Sequence, residues 1–191
     1  MQEIILASTS ERRFKLLEDM GITYKAVAPE AEEHVFDDPV KTVSLNALRK
    51  AEDVFSRYPN RLVLSADTIV YLDGKIIGKP QDREDAFNML SLIQGRWHSV
   101  YTGVTLILPT NKVYENYCKT DVHMMALSKG EIEYYINTGE PMGKAGAYAL
   151  QGIGGIFVSE IRGNYSNVIG LPTSMVRQML KDIGFFTSFF N

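Results

Sequence analysis

At 191 residues, 45% hydrophobic and 23% charged, the chain is long enough to bury a substantial core without covalent staples, and one domain over residues 1–191 is the expectation. A formal charge of -3 argues against bulk attraction to nucleic acid or to an anionic membrane, and no apolar run approaches the ~20 residues that cross a bilayer. The lone cysteine, Cys118, excludes an intramolecular disulfide and a multi-cysteine zinc site; with no secretory signal to be read at the N-terminus, a cytoplasmic setting is expected.

The apolar strand Ile4–Ala7 runs straight into Ser8-Thr9-Ser10 and the basic pair Arg12-Arg13. A strand that feeds a helix through hydroxyl residues leaves first-turn N–H groups free to meet negative charge, and the helix dipole favours the same sign. Phe14, Leu17 and Met20 at helical spacing, with Gly21 as a stop, predict a helix over Ser10–Met20. The segment is either an anion site or an ordinary capped surface helix with solvated arginines. Tyr24–Ala28 alternates like a strand and leads into the acidic stretch Glu30–His34. Val40 to Tyr58 reads as a helix with Leu48, Ala51 and Phe55 on one face; Lys50 borders that face and sends its ammonium either to solvent or to a ligand.

Strand signals then dominate. Leu62–Ala66 continues through Asp67-Thr68 to Leu72, Asp73-Gly74 is a strong hairpin turn, and Lys75–Ile77 returns. Asp67 lies in an apolar strand, where a carboxylate is costly unless it is paired, metal-bound or at a wet cleft. The hairpin brings Lys79 onto the neighbouring strand near Asp67, either as a simple ion pair or as part of a site. A helix over Asp82–Ile93 follows. Strands at Val100–Leu108 and Tyr117–Met125 flank a Pro-Thr-Asn turn region, and a short helix covers Glu131–Thr138. Lys144–Gly152 passes through a glycine-rich turn to Ile156–Val158, with Gln151 either a base reader or a turn amide. A helix over Ser174–Ile183 closes the helices, and the apolar Phe185–Phe190 is expected to pack either on the chain's own core, the favoured reading, or on another subunit.

Five motifs stand in one order: Ala7-Ser8-Thr9-Ser10-x-Arg12-Arg13, Ala66-Asp67-Thr68, Gly78-Lys79-Pro80, Lys144-Ala145-Gly146-Ala147-Tyr148-x-x-Gln151-Gly152 and Asn167-Val168-x-Gly170-Leu171-Pro172. In that order, over nearly the whole length, the chain resembles the Maf family of nucleoside triphosphate pyrophosphatases, associated with removal of unwanted nucleotides and with septum formation. The resemblance implies an α/β fold: a mixed, curved sheet flanked by helices, with two lobes around a nucleotide cleft, similar to the inosine triphosphatase architecture. It also implies a homodimer.

Carried over residue by residue, the resemblance implies catalytic roles for Asp67, Lys50 and Lys79. It implies substrate binding by Ser8, Arg12, Arg13, Thr68 and Gln151, and a divalent cation, Mg²⁺ or Mn²⁺, on Glu33 and Asp67. Cleaving the bond between the α and β phosphates requires neutralised charge, an aligned water and a stabilised leaving group, which arginine forks, lysine point charges and hard carboxylate oxygens supply. Asp67 is either a metal ligand or the general base. Arg13, Thr68 and Gln151 resemble the branch that prefers dTTP and UTP over 7-methyl-GTP. Two positions depart from the family: Glu11 stands where proline is common and fits a capping box with Ser8, and Gly143 stands where an acid is common, leaving Glu140 or a water as its substitute. These departures support an alternative, a catalytically weak nucleotide-binding regulator of cell division, which binding without turnover would identify.

Overall fold

The computed structural model describes residues 3–188. Strand β1 (Ile4–Ala7) is buried at every residue, the pattern of a strand covered on both faces. It pairs in parallel with β2 (Tyr24–Val27) on one side and β3 (Val63–Leu72) on the other. All other pairings are antiparallel, through β5 (Trp97–Ile107), β6 (Val113–Met124) and β7 (Val158–Arg162), giving the order β2-β1-β3-β5-β6-β7, while β4 (Lys75–Ile77) hangs on the end of β3. The result is a seven-stranded mixed sheet with helices packed against it, as the motifs implied.

The Asp73-Gly74 turn forms as read, both residues having positive φ (49° and 79°), and sets the register Val70↔Ile77 and Leu72↔Lys75. Helix α1 (Glu11–Asp19) follows β1, but its entry differs from the expected capping box. Ser10 is the N-cap and makes no side-chain cap bond; the Ser8 hydroxyl accepts from the Ser10 N–H at 3.1 Å instead of pairing with Glu11. Helix α2 (Pro39–Arg57) is capped by Asp38, which accepts from Val40 and Lys41, with Pro39 in the first turn where its missing N–H costs nothing. Helices α3 (Arg83–Ile93), α4 (Lys129–Asn137) and α6 (Thr173–Asp182) lie close to their expected spans, whereas α5 (Tyr165–Ile169), a single turn capped by Asn164, has no counterpart in the sequence reading. β5 and β6 begin three and four residues earlier than read, because their ladder runs unbroken from Trp97↔His123 to Ile107↔Val113 and carries polar residues with it. Phe185 is buried against the cluster that holds Leu180, with Phe186 packed beside it; Phe189 and Phe190 lie outside the described residues.

Two features of this sheet position the site. β1 covers the edge of β3 at Val63–Ser65 and β4 covers it at Val70–Leu72, so residues 66–69 have no strand partner on that edge and a slot opens through the sheet. On the other edge, Asp67 pairs with Gly103, and a side chain at Gly103 would place its Cβ 2.4 Å from the Val43 carbonyl oxygen of α2. The bare glycine lets α2 settle directly on the sheet beside Asp67. Gly103→Ala should therefore lower the unfolding free energy by about 1–3 kcal/mol, the usual range for overpacking, as read by urea denaturation; a change within error would mean that α2 does not depend on this contact.

Candidate active site

The slot opens into a cleft of about 320 Å³, a size suited to a small-molecule ligand. Its lining joins the turn after β1 (Ser8 to Arg13), Glu33, Lys50 of α2, Asp67, Thr68 and Val70 of β3, Lys79 after β4, Gly143 to Ala145, Tyr148, and Val168-Ile169 of α5. Every residue that the sequence proposed for the site lies here except Gln151, which is exposed and does not line the cleft. Glu11 and Gly143 are on its wall.

At the floor, the Lys50 ammonium is 2.6 Å from Asp67 Oδ1 and 2.6 Å from Glu33 Oε1. Lys50 is buried, so the solvated alternative does not hold: its stem lies in the helix face formed by Val43, Ala47, Ala51 and Val54. The Asp67–Lys79 pair does not form either; Lys79 sits 3.3 Å from Glu33, and Asp67 takes Lys50 and, at 3.2 Å, the Asn46 amide. Asn46 also accepts from the His34 N–H and donates to the His34 carbonyl, both at 2.9 Å. One side chain thus ties the irregular Glu33-His34 segment to α2 and orients Asp67. Sequence reasoning missed Asn46, although an amide one turn before Lys50 on a buried helix face was the signal. Burial raises the Glu33 carboxyl, but the charges of Lys50 and Lys79 and their hydrogen bonds outweigh it and hold the group at about 2, below its ordinary 4.5.

Arg13 occupies another wall. Its Nε donates to the Gly170 carbonyl at 2.8 Å, Nη2 to Thr68 Oγ1 at 3.0 Å and Nη1 to Ser8 Oγ at 3.4 Å. Thr68 continues the network to Thr102 Oγ1 at 2.9 Å, and Thr102 donates to the Asn167 carbonyl at 3.2 Å. Val100, Val168 and Ile169 add an apolar surface to this cleft. Tyr148 is bonded through its hydroxyl to His98 Nε2 at 2.8 Å, and burial holds His98 down at about 4, so its ring is neutral at neutral pH. Glu140, the suggested substitute for an acid at position 143, is committed elsewhere: it accepts from Tyr135 Oη at 2.8 Å and from the Ile153 and Gly154 N–H groups at 2.9 Å, and does not line the cleft. Lys144 and Tyr148, which the sequence reading placed in a glycine-rich turn and a motif without giving either a role, do line it.

In all, Arg12, Arg13, Lys50, Lys79 and Lys144 face Glu11, Glu33 and Asp67, an excess of cations that suits a small polyanion. Glu33 and Asp67 are hard oxygen donors already converging on one positive charge. Among the described residues there is no cluster of three or more histidine, cysteine or acidic side chains, so a divalent cation here would need oxygens from its ligand as well, the usual mode for Mg²⁺ with phosphates. No helix among the described residues is long and apolar enough to cross a membrane.

The model of the Maf-like protein family matches residues 3–183, and the five motifs it spans converge on this cleft. The chain belongs to this family. Among its relatives, it is 43% identical over 188 residues to the "dTTP/UTP pyrophosphatase" of Dictyoglomus thermophilum, covering 96% of this chain and 97% of that protein. It is 45% identical over 187 residues to the protein of the same name from Symbiobacterium thermophilum, covering 97% and 96%. Among solved structures, a nucleoside-triphosphatase / dITP/XTP pyrophosphatase from Mycobacterium abscessus aligns with 100% of this chain and 98% of its own, at 13% identity and a TM-score of 0.44.

Removing the ammonium from the floor of this Maf-like cleft strands Asp67, which is only 5% exposed. Lys50→Met should cost about 3–5 kcal/mol of stability in urea denaturation, and adding Asp67→Asn should restore most of it; an additive double variant would disprove the pairing. Because the Glu33 carboxyl is lower in the folded state than in the unfolded one, its stabilisation is present above pH 4.5 and is lost as pH falls toward 2. Glu33→Gln should flatten the acid limb of the stability profile in that window, and an unchanged limb would show that Glu33 is not the group responsible.

Proposed function

We propose that this protein hydrolyses dTTP and UTP to the nucleoside monophosphate and pyrophosphate. The observation that carries the reading is the buried Lys50–Asp67 pair, joined by the more exposed Glu33, at the floor of a cation-rich cleft, in a chain whose relatives at 43–45% identity bear the name dTTP/UTP pyrophosphatase. In the reaction, a water oxygen bonds to the α phosphorus, the bond from that phosphorus to the bridging oxygen breaks, and pyrophosphate departs with the electron pair. Asp67 takes the water's proton or, with Glu33, holds a divalent cation. Lys50 fixes Asp67 in place, and Lys79 balances charge on the transferred group. Mg²⁺ or Mn²⁺ on Glu33 and Asp67 would neutralise phosphate charge and lower the pKa of water.

Ser8, Arg12 and the first turn of α1 receive the phosphates. Arg13 and Thr68, fixed to each other and to Gly170, shape the side that receives the base, and the family resemblance assigns the donor and acceptor that read the base to Gln151, although that residue does not line the cleft. The same reading takes the enzyme as a cytoplasmic homodimer with a nucleotide substrate and no nucleic-acid or membrane partner.

With Mg²⁺ or Mn²⁺, purified protein should convert UTP and dTTP faster than other nucleoside triphosphates, releasing monophosphate and pyrophosphate, and Asp67→Ala should abolish turnover. Release of orthophosphate, or tight binding without turnover, would overturn the reading, the latter in favour of the nucleotide-binding regulator that Gly143 suggests. Asp67→Asn separates its two roles: retained Mn²⁺ affinity with lost turnover identifies the base, whereas loss of both identifies the ligand. Gln151→Ala should erode the preference for uracil and thymine more than it slows turnover; equal losses for every base would remove Gln151 from base reading.

A further inference from the structure

The five cations of the cleft are not equivalent. Lys50 is held by Glu33 and Asp67, Lys79 by Glu33, and Arg13 by Gly170, Thr68 and Ser8. Taken together, Glu33, Asp67, Lys50 and Lys79 carry two negative and two positive charges, so this group offers a polyanion no net attraction. Two cations remain. Among the described residues, Arg12 makes no hydrogen bond or ion pair, and Lys144 Nζ reaches only the Met142 carbonyl, at 3.4 Å. Both line the cleft and both are half-buried. Burial first, and the Arg12 charge second, lower the Lys144 pKa, which places the two cations in each other's field. The carboxylates that act on Lys144 at longer range are Glu140, whose oxygens are taken by Tyr135 and two backbone N–H groups, and Glu11, which forms no ion pair with a described residue.

The backbone under Lys144 is fixed. It begins the turn Ala145–Ala147, in which Gly146 donates to the Gly78 carbonyl at 2.9 Å. Gly146 has φ of 69°, and a Cβ there would stand 2.8 Å from a Val70 methyl, so the turn lies against β3 at a distance that only glycine permits. Two half-buried like charges that form no ion pair with the carboxylates near them, held on rigid backbone, are complementary to a ligand that brings negative charge into contact with both. A lysine supplies a point charge and an arginine a planar fork, a combination suited to adjacent phosphate groups.

We propose that Lys144 acts with Arg12 as the seat of the β and γ phosphates and holds pyrophosphate as it leaves. The inference rests on the pyrophosphatase reading above and adds Lys144 to the residues that touch substrate.

The test is calorimetric titration of the full-length protein with inorganic pyrophosphate and, separately, with UMP. Lys144→Gln should weaken pyrophosphate binding about tenfold or more, the scale of a lost charge-assisted hydrogen bond, while UMP affinity and the melting temperature stay within twofold and within error of the parent. Lys144→Arg should retain most of the pyrophosphate affinity. Unchanged pyrophosphate binding in Lys144→Gln, equal weakening of both ligands, or absence of pyrophosphate binding by the parent protein would each overturn the proposal. If the parent hydrolyses UTP yet Lys144→Gln binds pyrophosphate normally, only this inference falls. If the parent binds pyrophosphate through Lys144 but cleaves no nucleotide, the reaction is wrong and the anion seat stands.

Discussion

A lysine ammonium buried between two carboxylates is the contact on which the site depends. Asp67 lies within a largely buried strand, and its charge is tolerable there because Lys50 lies 2.6 Å away and Asn46 supplies a second hydrogen bond. That geometry in turn requires α2 to sit on the sheet without an intervening side chain, which Gly103 allows. Glu33 belongs to no helix or strand, yet it is brought to the same ammonium by the grip of Asn46 on His34 and of Thr42 on Phe36. A tight helix–sheet contact, an amide clamp and an ion triad are therefore one structure, and loosening any one of them loosens the rest.

The sheet topology explains why residues far apart in the chain share this cleft. β1 and β4 use the same edge of β3 but leave four residues between them uncovered, and the loops at both ends of that gap carry the Ser8–Arg13 and Lys79 segments. The slot gives access to both faces of β3, so Asp67 faces α2 while its neighbour Thr68 faces Arg13 and Gly170. Successive residues of one strand can thus serve different parts of one ligand, because strand side chains alternate in direction.

Much of this was legible in the sequence, for identifiable reasons. The Asp73-Gly74 turn carries its own register, and the apolar run of β1 announces a strand buried on both faces. The motifs alone assign the opening segment, Asp67-Thr68 and Lys79 to one cleft. Partnerships were less legible. Asp67 was matched with Lys79 by hairpin proximity, yet the closer cation comes from α2, and nothing local in the sequence reports the approach that Gly103 permits. The α5 turn escapes a sequence reading because five residues are too few for periodicity; the Asn164 side chain shows its purpose only through bonds to Ser166, Ser174 and the Asn167 N–H, and that of Asn167 through bonds to Val100 and Thr120. Lys144 stands in a motif but takes no role from the sequence, because the glycines that follow it dominate that stretch.

The bond from Gly146 to Gly78 couples two walls of the cleft mechanically. Lys79 leaves the chain one residue after the carbonyl that accepts it, and Lys144 two residues before the N–H that donates it. The two lysines are thus tied through one backbone hydrogen bond, so the spacing of the walls that carry them is set by main chain and not by side-chain rotamers.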